Sequence, residues 1–411
     1  MTPNAINAPN LWQFIPNSQF SRPSRPIEET VRLGVINFVQ KFRSSRLKDV
    51  GFLNQQILSA IPRTKLDRVI PAINWEEVAL ALDQYFNEHF NQPQPTTTTL
   101  ILCPPASDLS IVLNFWGKQH KWNLLPSPDY NEILDTPDSW FETLLPVLQE
   151  PFIIPHLEHW FLRHLRGLKL LRMLLDRVQT SPTPCILGLD TWAWSYLKYA
   201  IQIDAFPQST IILKAFDSNM LHSFFTELSH QNYKRQIFFR ETTTGKLVLK
   251  SENSDIHPQK ILKFDDNFLK NLAGYTHGNP LLAWNIWRNS LRSDPDEEFL
   301  SKEEDSDVIL SDKRRTLWIL PWEKVGVPTV PDSLKLIDLI VLQTLLLHNG
   351  VVRDFLPNLL PFTVEEVNRT IAYLTKLGFI EAFDDRLRIN RLVYPRIRDK
   401  LNGEGFLTDE I

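Results

Sequence analysis

Eight residues between an apolar strand and a helix carry the most interpretable chemistry of the chain. Cys103, Pro104, Pro105, Ala106, Ser107, Asp108, Leu109 and Ser110 follow the apolar run Thr99 to Cys103 and lead into the helical pattern Ile111 to Gln119. A phosphate-gripping loop of this length, G-x-x-x-x-G-K-[ST], uses its glycines to turn backbone N–H groups toward phosphate. Its lysine reaches the β and γ oxygens and its hydroxyl ligates magnesium. Ser110 stands at the hydroxyl position, but Cys103 and Asp108 replace the two glycines and Leu109 replaces the lysine. The missing lysine removes a charge-assisted contact of about 1.5–3 kcal/mol. A carboxylate ~5 Å from a phosphate, at an effective dielectric of ~20, adds a repulsion of about 3 kcal/mol per unit charge. The length and setting suit phosphate, and the residues do not. In the plainer reading Pro104-Pro105 only turns the chain from strand to helix.

The elements that position this loop read as an alternation. Strands are predicted at Thr99 to Cys103, Phe152 to Ile154, Cys185 to Leu189 and Thr210 to Ala215. Helices are predicted at Ile111 to Gln119, Leu157 to Val178, Ala193 to Ile201 and Met220 to Leu228. Strands alternating with helices that cover both faces imply a parallel sheet in a three-layer α/β domain. Before it come an arm rich in Pro, Asn and Ser that packs locally at Trp12 and Phe14, helices at Ile27 to Phe42 and Asn74 to Phe90, and the spacer QPQPTTTT at Gln92 to Thr99. After it come a hairpin from Lys234 to Arg240 and Lys246 to Lys250, helices at Asp265 to Ala273 and Pro280 to Leu291, and the acidic segment Asp294 to Asp307, which reads as a solvated linker. Helices at Leu334 to His348, Val351 to Leu359 and Val364 to Leu377, with a hairpin over Phe379 to Asn390 turning at Asp384-Asp385, make a winged helix.

This order of strand, loop, helix, further strands, a Gly278-Asn279-Pro280 element and a winged helix resembles AAA+ and STAND-type ATPases. Within them it resembles a bacterial MoxR-like or AAA ATPase-like group, through Leu157-Glu158, Phe161 to His164, Gly167-Leu168, Gly188 and Trp192 to Trp194. The likeness covers about residues 75 to 411. The resemblance makes Phe152 to Ile154 the strand that should end in an aspartate and a glutamate for magnesium. Here Pro155-His156-Leu157-Glu158 follows, so only Glu158 offers a carboxylate, displaced toward the next helix, where it also suits a helix N-terminus. Asp190 or Thr191 matches the position that orients an attacking water, and Asp190 serves equally as a helix cap. Arg288 or Arg292, on the helix after Gly278-Asn279-Pro280, matches the arginine that reaches a γ-phosphate, or pairs with the acidic linker. The implied fold is a three-layer P-loop NTPase-like parallel sheet followed by a C-terminal winged helix. The implied domains are a helical N-terminal region at 1–73, the α/β domain with lid helices at 74–292, an acidic linker at 293–315 and the winged helix at 316–411.

Other constellations carry less. His156, Glu158, His159 and His164 cluster in sequence, but HLEH lacks the i,i+4 histidine pair that sets two ligands on one helical face, so no metal site is expected. Trp192, Trp194, Trp284 and Trp287 suit a core as well as a ligand pocket. The candidate recognition helix opens Val364-Glu365-Glu366 and offers only Arg369 and Lys376 as cations, which repels DNA. Arg386, Arg388, Arg391, Arg396, Arg398 and Lys400 form a basic stretch that suits a nucleic-acid backbone, an acidic partner or the acidic linker.

The bulk numbers fit this picture. A chain of 411 residues with 43% hydrophobic and 22% charged residues is a multi-domain globular protein, and a net charge of -4 gives no global attraction to nucleic acid or anionic lipid. The most apolar stretch, Leu336 to Leu347, is interrupted by Asp338 and Gln343 and is shorter than a membrane span. The N-terminal residues show no secretory pattern, and two cysteines supply neither a disulfide framework nor a zinc cluster, so a cytoplasmic setting is expected. The expected function is a catalytically inactive AAA+/STAND-like scaffold or regulatory subunit with protein partners or self-association. The alternatives are a divergent ATPase that binds ATP and magnesium weakly, and a winged-helix DNA-binding regulator. No cofactor is expected unless the altered loop still binds ATP and magnesium.

Overall fold

A computed structural model describes residues 11–24, 58–90, 97–231, 237–249, 267–293, 315–326 and 328–409. The predicted helix at Ile27 to Phe42 and the acidic segment Asp294 to Asp307 lie outside the described residues. The chain forms two compact units. One gathers Met1–Ser21, Asn74–Lys214 and Val327–Ile411, and the other Arg22–Ile73 and Ala215–Gly326.

The first unit is mixed α/β around a mostly parallel sheet. Its strands are β1 (Phe14–Pro16), β2 (Thr98–Cys103), β3 (Asn123–Leu124), β4 (Phe152–Ile154), β5 (Cys185–Asp190) and β6 (Ser209–Leu213), in the spatial order β1-β6-β2-β5-β4-β3. All neighbours run parallel except the edge pair, in which Phe14 lies opposite Leu213. Leu100, Ile101 and Leu102 are all buried, as a central strand covered on both faces requires. Helices α1 (Trp75–Phe90), α2 (Leu109–His120), α3 (Lys169–Thr180) and α4 (Thr191–Ile201) flank the sheet. The connection from β2 leads toward β3 at one edge, whereas that from β5 crosses back to β6 on the other side of β2. The carboxyl ends of β2 and β5 therefore flank a topological switch point, the usual place for a ligand crevice.

The C-terminal part of the same unit contains α5 (Leu336–Leu347), α6 (Val364–Lys376), α7 (Tyr394–Gly403) and a three-stranded antiparallel sheet. That sheet has the order β7 (Val351–Val352), β9 (Arg386–Ile389), β8 (Ile380–Phe383). Trp192 of α4 packs in the core of this part, and Leu347 of α5 packs in the core of the parallel sheet. Tyr130 stacks on Phe355 with ring centroids 3.9 Å apart. Among the described residues no helix is long and apolar enough to cross a membrane.

The second unit holds a sheet in which Ile237–Glu241 runs parallel to Arg315–Ile319, with helices Ser218–Gln231, Asn267–Tyr275 and Pro280–Ser290. Trp287 is fully buried and stacks on Phe225 at 4.5 Å, beside Phe239 and Phe268. Asn279 caps its helix by accepting hydrogen bonds from the Leu281 and Leu282 N–H groups, with Pro280 in the first turn.

Three local expectations are corrected. The helix predicted from Leu157 to Val178 is a short 3₁₀ turn, Leu157–His159, then a folded loop, with α3 starting only at Lys169. Trp160, Phe161 and Leu162 are all buried, and Leu162 N–H donates to the Gly167 carbonyl. A Cβ on Gly167 would lie 2.3 Å from the Leu162 carbonyl oxygen, so no other residue fits that reversal. Gly167→Ala is expected to destabilise the first unit by about 2 kcal/mol, read as a lower urea midpoint at unchanged slope. The helix predicted over Val351 to Leu359 is strand β7 followed by a 3₁₀ turn, Leu356–Leu359. Asn349 and Gly350 both adopt positive φ and end α5, and β-branched Val351 and Val352 then pair with β9. The hairpin predicted from Lys234 to Arg240 and Lys246 to Lys250 is shorter among the described residues. Arg240 and Leu247 form an antiparallel bridge, Glu241 N–H donates to the Lys246 carbonyl and Val248 N–H to the Phe239 carbonyl, while the other edge of Ile237–Glu241 pairs with Arg315–Ile319.

Candidate functional site

The altered loop leaves the end of β2 directly beside the end of β5, with Cys103 in register with Asp190. Two of its residues, Ala106 (φ 63°) and Asp108 (φ 50°), occupy the left-handed region that glycine enters most easily. The sequence pattern aligns Asp108 with the second glycine of a phosphate loop, and its backbone has that left-handed conformation. Aspartate tolerates this region better than most side chains, at a cost of order 1 kcal/mol.

The Asp108 side chain has a partner that the sequence did not pair with it. Arg391, in the turn after β9, donates from Nη1 and Nη2 to the two Asp108 carboxylate oxygens, at 2.8 and 2.7 Å. Both side chains are about three-quarters buried (29% and 24% exposed), which makes this a fork-to-fork pair partly removed from water. The loop and the C-terminal sheet together enclose a pocket of ≈ 430 Å³. Ser107, Ser110, His156, Asp190, Arg388 and Arg391 contribute polar lining, and Pro104, Leu345 and Phe383 apolar lining. Burial, reinforced by Asp190 and Glu158, pushes the Cys103 thiol well above its ordinary pKa, so Cys103 is no thiolate nucleophile.

The residues at the ends of β4 and β5 form a second cluster. Gly188 in β5 admits the Pro155 carbonyl oxygen to within 2.5 Å of where its Cβ would stand, which brings the turn after β4 against β5. Glu158 on that turn is buried and accepts hydrogen bonds from His156 Nδ1 (2.8 Å), Asn349 Nδ2 (3.1 Å) and the Asp190 N–H (3.3 Å). Burial alone would raise its pKa, but His156, then His159 and Asn349, hold the carboxyl down at about 2. Asp190 accepts from the Trp192 N–H at 2.8 Å and so caps α4. Burial and then Glu158 push Asp190 well above the usual carboxylate range. The role at a helix N-terminus weighed for Glu158 is replaced by this network, since Leu157–His159 is only one 3₁₀ turn.

Most of the basic stretch is engaged within the chain. Arg386 donates to the Gly350 carbonyl and lies over the Tyr130 ring, and Arg388 lies over Phe383 at 4.5 Å. Arg391 holds Asp108, Arg398 holds the buried Asp409, and Lys400 pairs with Glu404 at 2.8 Å. Arg396 lies on α7 and is half-buried. Asp409 also accepts from Thr191 Oγ1 (3.1 Å) and Tyr394 Oη (3.0 Å), and Tyr394 Oη in turn accepts from Trp192 Nε1 (3.1 Å). Arg288 and Arg292 lie in the second unit. Arg288 donates to the Ile70 carbonyl and pairs with Asp67, and Arg292 donates to the Asn289 and Leu291 carbonyls. Sequence reasoning missed Arg391 as the partner of Asp108, and it missed Ser127, Asn349 and Asp409 altogether. Only the Asn349-Gly350 pair carried a local signal, that of a helix end.

No family model matches the sequence, and no curated protein matches it. Among solved structures the chain is similar to the ORC2 protein of Aeropyrum pernix (TM-score 0.33, 13% identity, 84% of this chain and 99% of that one). It is also similar to the RuvB Holliday junction branch migration motor of Thermotoga maritima (TM-score 0.31, 12% identity, 82% and 96%). A STAND protein with a tetratricopeptide repeat sensor from Pyrococcus horikoshii matches with TM-score 0.29 and 11% identity over 84% of this chain and 43% of that one. The α/β class of the chain rests on its own strand order and not on these scores.

Proposed function

We propose that this chain is a non-hydrolysing protein of AAA+/STAND-like build that works as a protein-interaction scaffold or regulatory subunit, with a winged helix as its C-terminal part. One observation carries the reading: the Asp108 carboxylate, at the position of a phosphate-loop glycine, is held by Arg391 of the chain's own C-terminal part. A triphosphate would have to displace that pair, leave Asp108 facing phosphate charge, and do so without the loop lysine, which is Leu109 here. The two carboxyls at the neighbouring strand ends offer magnesium little. Glu158 stands beside the imidazoles of His156 and His159 rather than beside a second free carboxylate, and Asp190, pushed above the usual carboxylate range by burial, caps α4. Against a winged-helix DNA reader stand the acidic start of α6 and the intramolecular use of Arg386, Arg391 and Arg398.

One observation favours a weaker second reading. The ≈ 430 Å³ pocket remains open beside the loop; its Arg391 is paired with Asp108, and Asp190, Glu381 and Asp384 also line it, so Arg388 is the cation that an anionic ligand other than magnesium-bound ATP would meet. Isothermal titration of the full chain with ATP and magnesium is expected to give no heat of binding at micromolar ligand. Micromolar binding, weakened by Ser110→Ala, would establish the divergent-ATPase reading in place of the scaffold.

A further inference from the structure

The turn after β4 gathers three metal-ligating side chains that the proposed scaffold role does not use. In a 3₁₀ turn the side chains at i and i+3 eclipse one another, unlike those on an α-helix, where i and i+4 share a face. His156 caps the 3₁₀ turn that His159 ends, its carbonyl accepts from the His159 N–H, and the two rings stack with centroids 4.8 Å apart at 23°. Glu158 stands between them in sequence, and one potential donor atom from each of the three lies within 4.8 Å of the others. The absence of an i,i+4 histidine pair, which argued against a metal in the sequence, applies to an α-helix that does not form here.

Each of the three has a feature that a ligand set needs. His159 Nε2 is buried and has no hydrogen-bond partner, whereas Nδ1 lies 3.2 Å from Ser127 Oγ. With the proton on Nδ1 donated to Ser127, Nε2 carries a bare buried lone pair, an arrangement that costs about 1–3 kcal/mol when nothing fills it. Outer contacts of the kind that orient metal ligands are also present, with Ser127 on His159 and both Asn349 Nδ2 and the Asp190 N–H on Glu158. His156 lines the ≈ 430 Å³ pocket, so an ion has a route in and a further ligand has space beside it.

We propose that His156, Glu158 and His159 form a binding site for one divalent transition metal ion of the zinc and cobalt type. Two imidazoles and a carboxylate suit a borderline ion rather than magnesium or calcium, which take oxygen ligands. A metal–ligand distance of about 2.0–2.2 Å places tetrahedral donors roughly 3.3 Å apart. The three groups therefore close inward around the ion, which takes the place of the proton that His156 Nδ1 donates to Glu158, while the imidazole carries its proton on Nε2 instead. The site does not depend on whether nucleotide binds.

Cobalt(II) titrated into the chelator-stripped full chain, followed by visible absorption and then displaced with zinc, tests the site without any assay of activity. One equivalent of cobalt with a ligand-field band, displaced by one equivalent of zinc, is expected. His159→Ala should abolish the band. Ser127→Ala, which leaves all three ligands in place, should weaken zinc binding roughly 10-fold or more. His164→Ala, nearby in sequence but outside the cluster, should leave binding unchanged. Absence of a band in the folded wild-type chain overturns the proposal, and so does a band that survives His159→Ala or disappears with His164→Ala.

Discussion

Asp409→Ala is expected to lower the stability of the first unit by about 3–5 kcal/mol, the range for breaking a buried ion pair from one side. Asp409 is buried and carries four contacts at once: its carboxylate accepts from Arg398 Nε, Thr191 Oγ1 and Tyr394 Oη, and its backbone carbonyl accepts from Arg398 Nη2 at 2.8 Å. Alanine retains only the backbone contact. The buried Arg398 guanidinium then loses its counter-charge, and the hydroxyls of Thr191 and Tyr394 lose their acceptor where water does not replace it. Asp409→Asn keeps a side-chain oxygen and should recover part of the loss. Thermal unfolding is the direct measurement, with a fall of about 10 °C for the alanine variant and a smaller one for asparagine. A shift of only a degree or two for alanine would mean that Arg398 and Tyr394 find other partners and that the network does not bind the C-terminal residues to α4.

That network shows why the fold was more legible than the site. The strands β2, β4, β5 and β6 are short apolar runs bounded by turn residues, and their order along the chain already implied a parallel α/β sheet. Each boundary read from composition falls within two residues of the structure. Such signals are local. The elements that were misread depend on non-local contacts. The reversal at Gly167 requires the Leu162 carbonyl at its back, and the pairing of Val351-Val352 requires β9, more than thirty residues away in the chain. Strand β3 is two residues long and has no periodicity to detect.

The loop itself was legible as altered chemistry, but not as an occupied place. Substitution of Asp108 and Leu109 for glycine and lysine predicted that phosphate would be repelled, and nothing in the spacing pointed to an arginine 283 residues away as the group that takes the carboxylate. The same limit applies to the basic stretch. Its charge density is plain in the sequence, whereas its consumption by Asp108, Asp409, Gly350 and the Tyr130 ring depends on how the C-terminal part folds against the parallel sheet. For the histidines the sequence pattern suggests an α-helix, whereas Leu157–His159 is one 3₁₀ turn, so the i,i+4 spacing rule does not bear on them.

His348 should give the first unit a stability that falls steeply as the pH drops from about 6.5 to about 4. The residue ends α5 in the interior, with Nε2 accepting from the Arg163 N–H at 3.4 Å and its ring 5.2 Å from Phe161. Burial is the largest cause that lowers its pKa, to about 4. Arg163 and Arg386 act in the same direction, and the Glu158 backbone and carboxylate oppose them. The unfolded chain carries an ordinary imidazole of pKa about 6.5. Between these two values the unfolded state binds a proton that the folded state refuses, so acidification favours unfolding. The contribution is complete above about pH 6.5 and is lost by about pH 4, a change of about 3 kcal/mol at 1.36 kcal/mol per pKa unit. His348→Gln keeps an acceptor for Arg163 but does not titrate. Urea midpoints taken across this range should therefore fall less with acid in the variant than in the wild type, because every other titrating group is common to both. Parallel slopes would mean that water reaches the imidazole and that the end of α5 is not closed.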